Sequence, residues 1–272
     1  MRKTQISRID VSTQTLEQKT DFMAEETPLH IFLNQTHYVT ILCSPGQLKE
    51  LAIGHLLSEG VLKSIDEIQE TRLEKDGKCL VRLKPSINAK KRISISQPFT
   101  RLIVSACGSP DYWPLSKLID RLSLVKLNVG LTVEAKVVSE SVKRLNVLAE
   151  KFRRTGGVHA AALYSTSGEL VALSEDVGRH NAVDKVIGAG TTKKLDFEKL
   201  FLALSGRLTG DIVLKAARTR IPIIASMAAA INSGVEAAQL TRITLIGFVR
   251  GKRMNVYTCP ERVVYASTKA LH

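Results

Sequence analysis

Four short stretches of this chain gather residue types that do chemistry. The first is Val104-Ser105-Ala106-Cys107-Gly108-Ser109-Pro110-Asp111. Residues 102–104 read as an apolar strand entering a small-residue turn. Ser109-Pro110 reads as a helix start, with Leu115, Leu118, Ile119 and Leu122 on the apolar face. A thiol just ahead of a helix N-terminus meets unpaired N–H groups and the positive end of the dipole, and both favour thiolate. Gly108 leaves room for an approaching sulfur or ligand. The alternative, and for a lone cysteine the more ordinary one, is a small buried residue in a turn.

The second stretch is Glu175-Asp176-Val177-Gly178-Arg179-His180-Asn181-Ala182-Val183-Asp184-Lys185, at a strand-to-helix transition. Ligands of α/β sheets sit at such carboxyl-terminal strand edges. Arg179 and Lys185 are candidate phosphate contacts, and His180 a candidate proton carrier near neutral pH. The alternative is an ordinary helix cap by Asp176 with the rest solvated. The third stretch, Ser205-Gly206-Arg207-Leu208-Thr209-Gly210-Asp211, again follows a strand and precedes a helix, where backbone N–H groups offer an anion site. It lacks the Gly-Lys-Ser/Thr ending of a Walker A loop. The fourth is Gly247-Phe248-Val249-Arg250-Gly251-Lys252-Arg253, three cations and an aromatic around a glycine turn. It can grip a phosphorylated heterocycle by charge and stacking, or simply be a hairpin with a basic tip.

The elements that must position these stretches read as follows. The first twenty residues are polar without a sustained period, an arm or edge strand. Residues 29–33 and 38–43 are strands of a hairpin. Ser44-Pro45-Gly46-Gln47 has the form of a helix-start box, with Ser44 as N-cap and Leu48, Leu51, Ala52 and Leu56 as the apolar face behind it. Residues 78–96 alternate as half-buried strands with a basic face at Lys90-Lys91-Arg92. From about residue 132 the pattern changes to helices alternating with apolar strands. These are a helix over 138–152, strands over 160–164 and 170–173, and a helix over 179–187. A strand over 200–204, a helix over 209–219 and a strand over 221–226 follow. Last come a helix from Ser233 capped by Glu236, then strands over 243–249 and 255–258. Such alternation implies a sheet covered on both faces. The expected division is a β-rich part over 1–130, ending in the Cys107 loop and its helix, and an α/β domain over 131–272.

Composition bounds the remaining classes. The 272 residues are 44% hydrophobic and 24% charged, ordinary for a globular protein with a substantial core. The run 221–231 falls short of the about 18 residues a spanning helix needs, and no secretory signal is visible, so a cytoplasmic protein is expected with no membrane association. Cys43, Cys79, Cys107 and Cys259 form no C-x-x-C pair, which argues against a disulfide scaffold or a four-cysteine zinc site. A net charge of +13 favours anionic partners. With only 5% aromatic residues and no recognised motif, a specific nucleic-acid partner is not expected.

Taken in order, Glu25-Glu26-Thr27-Pro28-Leu29, Pro45-Gly46, the run from Glu50 to Gly60, Ser105-Ala106-Cys107-Gly108 and Thr155-Gly156-Gly157-Val158-His159-Ala160-Ala161 form one pattern. The three later stretches above complete it. The chain thereby resembles the formate dehydrogenase accessory sulfurtransferases, the FdhD family. That resemblance implies a sulfurtransferase that takes sulfur from a cysteine desulfurase as a Cys107 persulfide. It would then sulfurate the molybdenum (or tungsten) bis(molybdopterin guanine dinucleotide) cofactor for formate dehydrogenase. It further implies cargo contacts, or contacts to a GDP-like guanine nucleotide, at Phe248, Val249, Arg250, Gly251, Lys252 and Arg253, with Arg179 and His180 lining the pocket. The implied fold is a cytidine-deaminase-like α/β/α main domain with a smaller β-rich N-terminal part, and the implied assembly a homodimer.

One departure bears on mechanism. Relatives carry Cys-Gly-x-Cys-Gly, and here Pro110 stands at the second cysteine. One thiolate suffices to accept a sulfane sulfur, so direct delivery from Cys107 is expected rather than release by an internal disulfide. The alternative is a non-catalytic binding module or chaperone for the guanylylated cofactor. The sequence argues against zinc deaminase chemistry: His159-Ala160-Ala161 has alanine where the proton-shuttling Glu belongs, and no Pro-Cys-x-x-Cys follows. No metal site is expected.

Overall fold

The computed structural model describes residues 1–94, 126–128 and 130–265. The expectations for Cys107, its strand and the following helix fall outside these residues. The polar N-terminus forms an antiparallel ribbon, β1 (Arg2–Asp10) with β2 (Thr15–Met23). Next come β3 (Thr27–Leu33) and β4 (Thr36–Cys43), the expected hairpin, then α1 (Leu48–Ser58), β5 (Ile68–Leu73) and β6 (Lys78–Leu83). Strands order as β4-β3-β6-β5, with β3 and β6 parallel.

Beyond residue 130 the chain runs β7 (Val133–Glu134), α2 (Ala135–Leu148), α3 (Glu150–Thr155), β8 (His159–Ser165), β9 (Leu170–Asp176) and α4 (Arg179–Thr192). It continues with β10 (Leu200–Leu204), α5 (Gly210–Arg218), β11 (Ile223–Ser226), α6 (Asn232–Thr241), β12 (Thr244–Arg250), β13 (Arg253–Val256) and β14 (Val263–Val264). Six of these strands make a mixed sheet in the order β13-β12-β11-β10-β8-β9. In it β10, β11 and β12 are parallel.

The period-two apolar pattern of these strands explains why both faces are covered. Ala162, Tyr164, Phe201, Ala203 and Ile223 point to one face and pack with Val138, Val142 and Leu145 of α2. Their neighbours Leu163, Leu202, Leu204, Ile224 and Leu245 point to the other and pack with α4, α5 and α6. The result is the α/β class and the helix–sheet–helix layering expected. The small sheet joins the second of these cores through α1, whose Leu51, Ala52 and Leu56 are fully buried.

Contact between α1 and α4 is close enough to require glycine. A Cβ on Gly54 would lie 1.7 Å from the Asp184 carbonyl oxygen, and one on Gly188 would lie 1.9 Å from that of Glu50. Only hydrogen at these positions lets the two backbones approach.

Several local expectations are corrected. Ser44 does not cap α1. The N-cap is Gln47 in a left-handed conformation, while the Ser44 hydroxyl accepts from Val177 N–H (3.1 Å) and its N–H donates to Asp176 (3.0 Å). Long-range bonding therefore outcompetes the local cap. Residues 89–94 are helical rather than a strand, and Arg92 of the basic cluster pairs with Glu67. The strand beside β6 is instead β5. Glu236 completes no capping box: α6 starts after Ile231, and the Ser233 hydroxyl accepts from Gly210 N–H (3.3 Å). No helix among the described residues is long and apolar enough to cross a membrane.

Candidate functional site at the carboxyl edge of the sheet

The carboxyl ends of β10, β11 and β12 lie along one edge of the large sheet. Because β8 runs antiparallel to β10, with Ala161 opposite Leu204, its first residue His159 emerges at that same edge. Asp176, opposite His159 in β9, does too, so α4 starts there with Arg179. Stretches distant in sequence thus form one rim, at the point where the strand order reverses.

Its links are short. The Ser226 hydroxyl donates to the Gly206 carbonyl (2.7 Å) and accepts from Ala228 N–H (3.0 Å). The Ala228 carbonyl in turn accepts from Phe248 N–H (2.9 Å). Sequence reasoning missed 226–228; small residues directly after a buried strand were the available signal.

Around Gly206 the packing is tight. A Cβ there would lie 3.1 Å from Arg179 Cβ and 3.6 Å from His159 Nδ1. Glycine in Ser205-Gly206-Arg207 thus admits both side chains to the rim. His159 Nδ1 lies 3.3 Å from the Ser205 hydroxyl. Burial, helped by the charges of Arg179, His180 and Arg207, lowers the His159 pKa, so its neutral form dominates at pH 7. His180 Nε2 pairs with Asp211 in the first turn of α5. Burial alone would raise the Asp211 carboxyl, but the hydrogen bond and charge of His180 outweigh it and hold it at about 2. Arg179 keeps a buried Nε with no hydrogen-bond partner among the described residues.

At the other end of the rim β12 breaks register between Gly247 and Arg250, and Phe248 takes a left-handed conformation (φ 51°). The bulge leaves Phe248 38% exposed and turns Val249 into the core. Val249 therefore has only its backbone to offer a ligand. Arg250 Nε donates to the Met227 carbonyl (2.8 Å), which holds its guanidinium 5.9 Å from the Phe248 ring centre. Gly251 (φ 59°) makes the turn, with Lys252 and Arg253 exposed beyond it. An aromatic face flanked by cations can take a planar ring carrying phosphates.

Lys185 is not part of this surface. Its ammonium is buried, 2.7 Å from Asp176 Oδ2 and 2.7 Å from the Ser44 carbonyl. Asp176 also accepts from Gly178 N–H and Asn181, both at 2.9 Å. Both charges are used in tying the small sheet to α4. The run from Glu50 to Gly60 likewise ends inside: Lys215 contacts Asp184 (3.0 Å) and Glu59 (2.8 Å), while His55 Nδ1 lies 3.0 Å from Asp184. Burial works against the charged form of Asp184, yet Lys215 and His55 hold its pKa well below the carboxylate range.

The sequence profile described as the FdhD/NarQ family matches residues 24–264. A Sulfolobus acidocaldarius relative named sulfur carrier protein FdhD is 36% identical over 264 residues, covering 97% of this chain and 98% of its own. The protein of that name from Sulfurisphaera tokodaii is also 36% identical, covering 97% and 99%. A crystal structure of a formate dehydrogenase accessory protein from Desulfotalea psychrophila superposes with a TM-score of 0.76 at 25% identity, covering 97% of this chain and 99% of that one. With a match of this extent and relatives of this identity, the chain belongs to the FdhD/NarQ family.

Proposed function

We propose that this protein is a sulfur carrier in the maturation of formate dehydrogenase, with the rim as its cargo site. The observation that carries the reading is family membership along nearly the whole chain, among relatives named sulfur carriers. In this reading the Cys107 thiolate attacks the outer sulfur of a cysteine desulfurase persulfide. A new S–S bond forms as the donor's breaks, and the donor cysteine leaves as thiolate. The sulfur then passes to the molybdenum or tungsten bis-guanylyl-pterin cofactor. With Pro110 in place of a second thiol, Cys107 delivers it directly. Phe248 stacks on a guanine while Arg250, Lys252, Arg253 and Arg179 meet its phosphates, chemistry that a GDP-like nucleotide shares. The working unit is a homodimer in the cytoplasm.

The test is intact mass spectrometry after incubation with an active cysteine desulfurase and cysteine, followed by peptide mapping. One thiol-reducible sulfur on the Cys107 peptide is expected, and none on Cys107→Ser. Normal loading of that variant overturns the role of Cys107. No loading of the wild type leaves a cofactor-binding chaperone without transfer chemistry.

A further inference from the structure

Where α4 begins, the rim gathers donors that the fold itself does not use. Gly178 caps the helix without a side-chain bond, and the first bond into the helix runs from Ala182 N–H to the Gly178 carbonyl (3.0 Å). The N–H groups of Arg179, His180 and Asn181 are thus left without an acceptor among the described residues. Arg179, half-buried, and Arg207, exposed, make no side-chain hydrogen bond or ion pair among those residues either. The carboxylates on the flanking elements are engaged. Asp176 is held by Lys185, Asp211 by His180, and Glu175 by Phe152 N–H (2.8 Å).

His159 stands among these groups, since Gly206 packs against both it and Arg179, and Arg207 comes next in the chain. Ser205 decides where the neutral ring carries its proton. Its N–H donates to the Ala160 carbonyl (3.0 Å), and its hydroxyl accepts from Ala160 N–H (3.0 Å). The proton of that hydroxyl then has one acceptor among the described residues, His159 Nδ1 at 3.3 Å. A ring that accepts at Nδ1 is protonated at Nε2. Nε2 is bonded to nothing among the described residues and is not a buried atom, so it keeps accessible surface. Burial first, and then Arg179, His180 and Arg207, keep the ring neutral. A neutral N–H donor can bond an anionic oxygen without adding to the positive charge around it. An anion placed there offsets those cations and makes the ring easier to protonate.

We propose that His159 is a specificity-determining residue of the rim: with its proton on Nε2, it donates to an anionic oxygen of a diphosphate held by the first turn of α4, Arg179 and Arg207. This rests on the reading of the rim as the cargo site. It adds a phosphate-binding end, at His159, to the aromatic end at Phe248.

Titration calorimetry with GDP and inorganic pyrophosphate in about 0.15 M salt tests it. His159→Asn should weaken both probes about tenfold, whereas Phe248→Ala should weaken GDP alone. His159→Gln, whose amide nitrogen takes the place of Nε2, should cost less than about threefold. If His159 only buttressed Ser205, the order would reverse, because the Asn amide matches Nδ1. Nitrogen NMR of the histidine-labelled wild type needs no variant to fold. It should show the His159 proton on Nε2 and an upward shift of its pKa when pyrophosphate is added. A proton on Nδ1, or pyrophosphate binding indifferent to His159→Asn, overturns the proposal. In that event a loss of GDP binding in Phe248→Ala still supports the cargo site. No saturable binding of either probe by the wild type overturns both.

Discussion

The rim and the buried network beneath it draw on the same residue types, and α4 feeds both. Its first turn carries Arg179 and His180, and its second carries Asp184 and Lys185. In the network each charge meets its opposite: Asp184 has Lys215, His55 and the Ser58 hydroxyl, and Lys185 has Asp176 and the Ser44 carbonyl. At the rim bonding capacity is left over: the Arg179 Nε has no partner, Phe248 is exposed, and Lys252 and Arg253 stand free of carboxylates among the described residues. A charged residue here is structural when its partners come from the fold, and a candidate ligand contact when they do not. Density of charge in the sequence does not separate the two.

The comparison breaks first at the helix contact that places α4. Gly54→Ala puts a methyl 1.7 Å from the Asp184 carbonyl oxygen, so the helices must part. We expect a loss of about 3 kcal/mol or more in chemical denaturation, with the rim disordered along with the network. Next, Lys215→Met leaves Asp184 and Glu59 buried without their cation. The same measurement should show a loss of about 3–5 kcal/mol. Arg179→Met, by contrast, should stay within about 1 kcal/mol of wild type, because its Nε has no hydrogen-bond partner among the described residues. A large loss in Arg179→Met would erase the distinction.

Acid titration sharpens it further. The Asp211 carboxyl is depressed, so its pairing with His180 contributes stability above the unfolded value of 3.8 that is lost as pH falls through about 2. Asp211→Asn should flatten that limb of a stability–pH curve. His159, also depressed, contributes stability that is full above 6.5 and declines as pH falls below it. His159→Gln should remove that decline. The smallest effect on the fold belongs to Phe248→Ala and Arg250→Ala. If the rim is the proposed cargo site, each should weaken binding of GDP, used as the probe, about tenfold in a fluorescence titration, with Tm shifted by less than about 2 °C.

Much of this architecture was legible in one dimension. The alternation of buried strands and amphipathic helices beyond residue 132 announces a two-sided sheet, because the period of apolar residues reports the faces to be covered. Local caps were less legible. Ser44 has the form of an N-cap, yet Asp176 and Val177, more than 130 positions away, claim its hydrogen bonds. The basic run Lys90-Lys91-Arg92 read as a strand face, and Glu67 meets Arg92 on a helical segment instead.

Residue identity and order by themselves determined the family, the two-sided sheet and the list of candidate contacts, because motif residues and hydrophobic period are properties of the chain. Only the tertiary structure decided which candidates face solvent. Lys185 and Arg179 lie six positions apart in one segment, but Asp176 and Ser44 close around the first, and nothing among the described residues satisfies the Nε of the second. Whether a charge finds its partner depends on what the fold brings within about 4 Å, and that distance cannot be read along a sequence.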